Sequence, residues 1–136
     1  MRQMQRDHLA SKEPTRAERA LYSLLDAVLG EGAWAREYYV FDKWTVDAAA
    51  PELLLIFQAD GDYWHGWDPE TRDHPMVSRN IKNDRRQDAY IAKTPWTSLR
   101  LWEHDLLDSP EWCAERIREV VEKARSGRTG QRDGTV

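Results

Sequence analysis

Only one cysteine, Cys113, occurs in 136 residues. That excludes an internal disulfide and any zinc centre built on several thiolates. Apolar runs are short as well. None approaches the roughly 20 residues that cross a bilayer, so no membrane span is expected. The first residues, MRQMQRDHLASKEP, lack the apolar segment of a secretory signal, and the expected location is the cytoplasm, with a phage or mobile element as a fitting source. An excess of positive charge is also missing. Twenty Lys and Arg face 24 Asp and Glu for a net charge of −4, whereas nucleic-acid-binding proteins usually carry a basic surface.

What is present points to one globular domain. Hydrophobic residues make up 40% of the chain and charged ones 32%, the balance of a soluble protein with a core of its own. There is no internal repeat. The positive charge is concentrated rather than spread: residues 72–100 hold seven Lys or Arg against three Asp. Seven tryptophans are many for this length. Such rings fill cores first, and surplus ones stack or wedge on nucleic acid.

Residues 1–13 are polar and aperiodic and are expected to be flexible. Thr15 followed by Glu18 forms a capping-box pair, and Ala17, Leu21, Leu24, Leu25 and Val28 then recur at helical spacing up to Gly30 or Gly32. Strands are expected over 37–41, 44–48 and 53–59, with Asp42 and Lys43 as a tight turn and the third strand apolar enough to be covered on both faces. A polar loop over 60–75 leads to a helix over 77–93, with Ile81, Ala89 and Ile91 facing inward. A strand over 97–102, with Trp102 in the core, precedes a closing helix over 110–125 with Trp112, Ile117, Val120 and Val121 inward. Residues 126–136 read as a disordered tail, leaving 14–125 as the domain. The order α-β-β-β-α-β-α means an α/β sandwich around a mixed four-stranded sheet, its last strand parallel through the crossover helix.

Some polar residues sit where packing gives no reason for them. Asp47 ends one apolar strand and Asp60 ends the next, just before Gly61. A strand-end aspartate alone is usually a turn former, but two on adjacent strands, with a backbone carbonyl, make a hard-oxygen cage suited to magnesium. His65 lies in the loop at Tyr63-Trp64-His65-Gly66, where the glycine permits close approach of a ligand backbone, and imidazole can shuttle protons near neutrality. Asp84 on the following helix either fixes its tautomer or is a solvated helix residue. Arg79, Lys82, Arg85 and Arg86 share a helical face, which is either plain solvated surface or a phosphate track.

Five blocks of sequence together resemble one family. They read PTRAE at 14–18, TVD at 45–47, LLLIFQADGDYWHG at 53–66, NIKNDRR at 80–86 and PWTSLRLWE at 95–103. In this order and spacing, over roughly residues 14–122, they are similar to the very-short-patch repair endonucleases. Those belong to the PD-(D/E)xK superfamily, and homing endonucleases with an E-D-x-H-D signature are among their relatives. The resemblance implies a restriction-endonuclease-like three-layer sandwich that cleaves double-stranded DNA with Mg2+, for which Mn2+ can substitute. It implies that Asp47, Asp60 and the carbonyl of Ala59 hold the metal. Glu18 would then align the hydrated metal, His65 act as general base and Asp84 orient it. Tyr63 and Trp64 would wedge into the base stack, with Arg79, Lys82, Arg85 and Arg86 on the DNA backbone.

The chain departs from the family at three points. Asp60 stands where the repair enzymes have histidine, and Gln58 where a sister Glu-x-Asp-Gly motif has glutamate. The cysteines of the repair enzymes' structural zinc site are absent. The leading expectation is an endodeoxyribonuclease that nicks DNA as a monomer or breaks both strands as a weak homodimer. The alternative, favoured by Gln58 and the acidic net charge, is a catalytically inactive restriction-fold module that binds DNA or a protein. Nothing in the motifs singles out a third class, a toxin-like RNA nuclease.

Overall fold

A computed structural model describes residues 13–134, with side chains to residue 127. Helix α1 (Arg16–Leu29) starts on the reciprocal cap: Thr15 Oγ1 accepts the Glu18 N–H at 3.1 Å and Glu18 Oε1 accepts the Thr15 N–H at 2.7 Å. Ala17, Leu21 and Leu25 are buried along one side, and Gly30, at φ 95°, ends the helix.

Strands β1 (Ala35–Val40) and β2 (Trp44–Ala50) form a hairpin. Its turn is centred on Phe41 and Asp42, both at positive φ, one residue earlier than expected from sequence. β2 does not stop at residue 48. It runs on through buried Ala49 and Ala50, so Asp47 lies inside the strand rather than at its end. Pro51–Leu53 then makes a single 3-10 turn, and Leu54 adopts a left-handed conformation before β3 (Leu55–Asp60) begins. Proline at the first position of that turn cannot extend the ladder, and the strand expected from residue 53 is correspondingly shorter.

Helix α2 (Pro75–Ile91) starts two residues before the expected helix, because Pro75 fits a first turn and His74 Nδ1 accepts the Met76 N–H. It carries the chain across to β4 (Thr97–Trp102), which pairs parallel to β3, while β1, β2 and β3 run antiparallel. The sheet order is β1-β2-β3-β4. Two helices follow: α3 (Glu103–Asp108), too short and too acidic to be expected from sequence, and α4 (Pro110–Gly134).

Alternation along β3 builds the two inner layers. Leu55 and Phe57 pack with Ala48, Ala50 and Leu101 under α1, α3 and α4, which contribute Leu21, Leu25, Leu106 and Ile117. Ile56 faces the other way and joins Val40, Val46, Ala49 and Ile91 of α2. Each fully buried aliphatic or Phe side chain contributes about 1.5–3 kcal/mol. The fold is therefore an α/β sandwich of the restriction-endonuclease-like kind, with a mixed four-stranded sheet between helical layers.

Several inward assignments need correction. Cys113, Ile117 and Val121 set the buried stripe of α4, so Trp112 is turned outward, 49% exposed, with the Arg116 guanidinium over its ring at 5.1 Å from the ring centre. Burial pushes the Cys113 thiol up to about 11, which leaves it inert. On α2, Val77 and Ile91 are buried and Ala89 is exposed. On β4 the buried residue is Leu101; Trp102 is half-buried and stacks near His104. Helix α4 runs to Gly134, past the expected boundary at 125, whereas residues 1–12 and 135–136 of the two expected flexible ends lie outside the described residues.

Candidate active site

Pairing between β2 and β3 stops at Ala48 and Phe57, and the side chain of Asp47 takes over from the ladder: its Oδ2 accepts the Ala59 N–H at 2.8 Å. The Tyr22 hydroxyl of α1 donates to the Asp47 carbonyl at 3.2 Å, fixing β2 against the helix. Burial, only partly offset by the Ala59 N–H and reinforced by Glu18 and Asp60, pushes the Asp47 carboxyl up to about 7. Glu18 thus serves two ends, capping α1 and facing Asp47.

Asp60, at the end of β3, is buried. Burial raises its pKa against the opposing charges of Arg100 and His65. His65 Nδ1 sits 2.6 Å from Asp84 Oδ2 on α2 and 3.8 Å from Asp60 Oδ1. Burial pulls the imidazolium down, but the Asp84 hydrogen bond and the charges of Asp60 and Asp84 outweigh it, and the net shift is upward. Glu18, Asp47, Ala59, Asp60, His65 and Asp84 all line one cleft of about 600 Å³. Six scattered sequence positions therefore converge on one surface.

The loop that carries His65 is held at three points, two of them on α2. Asn80 Nδ2 donates to the Trp64 carbonyl at 2.8 Å, and Arg72 Nε donates to the Gly66 carbonyl at 2.8 Å. Gly66 itself adopts φ 75°, and a Cβ there would meet Ile81 Cδ1 at 2.5 Å and Val77 Cγ1 at 3.3 Å. The close approach that needs glycine is to α2, not to a ligand as the sequence suggested. Gly66→Ala combines a disfavoured φ with this clash, so it is expected to lower stability by about 1–3 kcal/mol. Chemical denaturation measures that loss, and an unchanged midpoint would mean that the loop is not held by this contact.

Tyr63 and Trp64 also border the cleft, 47% and 50% exposed, with ring centres 4.8 Å apart and edge-on to each other. An inward-packed Trp64 is thereby excluded. Arg79, Lys82, Arg85 and Arg86 are exposed on α2 and do not line the cleft. They occupy the side of the helix turned from buried Val77 and Ile91.

Three features were missed from sequence. Arg100 of β4 reaches Asp60 at 3.1 Å, Asp84 at 3.5 Å and Asp88 at 2.9 Å. Gln58, register partner of Arg100, donates to Gln87 Oε1 at 2.6 Å. Asp62 in the loop bonds His104 Nδ1 at 2.8 Å, while Glu103 accepts the Asp62 N–H. An arginine inside the apolar strand TSLRLW was the available signal, since a buried charge demands a partner.

Fold and cleft together define a protein with clustered carboxylates, a carboxylate-steered histidine and exposed aromatics beside the C-terminal end of β3 in a mixed sheet. The chain is 31% identical over 72 residues to the "Type II nicking enzyme V.NmeDIP" of Neisseria meningitidis serogroup C, a stretch covering 46% of this chain and 49% of that protein. It is 25% identical over 87 residues to the "Type II nicking enzyme V.HpaIIP" of Haemophilus parainfluenzae, covering 57% and 62% respectively. This chain thus spans about half to three fifths of the curated relatives it matches. No protein-family profile matches it, and no solved structure does.

Proposed function

We propose that this protein is a Mg2+-dependent DNA endonuclease of the PD-(D/E)xK superfamily, on its very-short-patch-repair-like branch, and that it nicks one strand of a duplex. The observation that carries this reading is the meeting of Glu18, Asp47, Asp60 and His65 in one cleft. The donor set fits a hard divalent cation: clustered carboxylates, of which Asp47 is pushed up to about 7 by burial first and then by the charges of Glu18 and Asp60. Asp47, Asp60 and the Ala59 carbonyl would hold the ion, and Mn2+ would substitute for Mg2+. When bound, it supplies positive charge to the scissile phosphate and acidifies a water.

The chain's own residues would do the rest. Asp84 fixes Nδ1 of His65, leaving Nε2 to take the proton of the attacking water. Glu18, held in place by the cap, would align that water. Tyr63 and Trp64, exposed at the cleft, would enter a base step, and Arg79, Lys82, Arg85 and Arg86, outside the cleft on the exposed side of α2, would meet phosphates only where the duplex runs on past it. One such cleft per chain suits a nick. The second reading, an inactive DNA-binding module, is favoured by Gln58, whose amide is committed to Gln87 where the sister motif has a ligand carboxylate.

Supercoiled plasmid separates the two readings. Pure protein with Mg2+ is expected to convert it to the open circle, and chelator to stop the conversion. Plasmid that is bound but left supercoiled would support the inactive module, and nicking that survives the chelator would overturn metal dependence.

A further inference from the structure

Asp60, His65 and Asp84 each offer one ligand atom, and the three atoms lie within 4.8 Å of one another, a spacing a metal ion could bridge. A cation is already there. Nη1 of Arg100 lies 3.1 Å from Asp60 Oδ1 and 3.5 Å from Asp84 Oδ1, between the two carboxylates that a metal would have to join. An ion bridging them would need its own centre about 2.0–2.1 Å from each oxygen, on ground the guanidinium nitrogen occupies. The guanidinium is also anchored from behind. Its Nε meets both oxygens of Asp88 at 2.9 and 3.1 Å, and its Nη2 donates to Gln87 Oε1, the atom that also accepts from Gln58.

We propose that Arg100 is the built-in cation of the Asp60–His65–Asp84 cluster, excluding a metal ion from it and confining metal binding to the Asp47 side of the cleft. This rests on the nuclease reading only for the second ion-binding half of the cleft; the exclusion itself stands on the Arg100 contacts. Arginine suits the task because its planar fork engages several oxygens at once and does not lose its charge. Arg100 and His65 both approach Oδ1 of Asp60, and neither contact uses Oδ2, which leaves that oxygen for the Asp47 side. Gln58, neutral beside the guanidinium, leaves it committed to Asp60, Asp84 and Asp88 rather than drawn to a fourth carboxylate. Arg100 is in this sense a positioning residue: it holds Asp60 and Asp84 around His65 without touching substrate.

The test counts ions. Mn2+ bound per full-length chain is measured by electron paramagnetic resonance without DNA, with circular dichroism reporting the fold. Arg100→Met is expected to bind one ion more than wild type, and the added Asp84→Asn to remove that ion again. Arg100→Lys, which keeps a charge in place, is expected to match wild type. Asp84→Asn alone is expected to leave the wild-type count unchanged. A wild-type count that falls with Asp84→Asn would overturn the proposal, since the cluster would then already hold a metal. So would a folded Arg100→Met protein that gains no ion. Should Arg100→Met not fold, Arg100→Gln, which also removes the charge, takes its place with the same expected gain of one ion and the same overturning result. A wild type that binds no Mn2+ and nicks no plasmid would defeat the nuclease reading alone, because the gain on Arg100→Met still reads out the arginine.

Discussion

Asp47→Asn is expected to abolish plasmid nicking and, at the same time, to raise the melting temperature. The amide keeps an acceptor for the Ala59 N–H but removes the charge that would hold the metal. Loss of several kcal/mol of charge stabilisation corresponds to a rate lower by roughly a thousandfold or more. The stability gain follows from the raised carboxyl. The native state binds the Asp47 proton up to about pH 7, while an unfolded aspartate releases it near 3.8. Wild-type stability therefore falls as pH rises through that window, and the full penalty is present above it. At pH 8 the substitution should return about 1–3 kcal/mol, and the gain should vanish towards pH 4. Added Mg2+ should raise the wild-type melting temperature and leave the variant's alone. A variant that still nicks would remove Asp47 from the site, and one that melts lower at pH 8 would make it a structural hydrogen-bond acceptor only.

His65→Gln should slow nicking by about 10²–10⁴-fold with the fold retained. His65 has its proton held above the usual imidazole range, against burial, by the Asp84 hydrogen bond and the charges of Asp60 and Asp84. A general base must lose that proton, so the wild-type single-turnover rate should climb with pH through the raised pKa. Glutamine does not titrate, and the profile of the variant should be flat. The same shift stabilises the native state below about pH 6.5 and is lost as pH rises past the folded-state value, so the variant should be less stable than wild type in acid. A variant with wild-type slope would place the titrating base elsewhere in the cleft.

Much of the fold was legible because its causes are local. The Thr15 and Glu18 pair announces a helix start whatever the rest of the chain does, and the run LLLIFQA can be read as a doubly covered strand from composition alone. The carboxylates of Asp47 and Asp60 were legible for a related reason: polar groups on apolar strands stand out against their neighbours. Trp112 misled because a one-residue change of phase turns a helix by about 100°, and a large ring draws the eye from the smaller Cys113 beside it. Arg100 was missed for a deeper reason. Its meaning depends on partners at 60, 84, 87 and 88, which only the parallel pairing of β3 with β4 and the packing of α2 bring within reach. The basic run on α2 was visible as a stripe, but only the packing of Val77 and Ile91 shows that it faces away from the cleft.

The loop that carries Tyr63 and Trp64 is riveted to α2 by Asn80 and by the contact at Gly66, and tied within itself by Arg72. A loop held this way cannot mould itself to a target. On the proposed function the duplex must therefore be the partner that yields, opening a base step to admit rings whose position is already set. Discrimination between sequences would then come from how readily each step unstacks, with pyrimidine–purine steps yielding most easily, rather than from contacts to base edges.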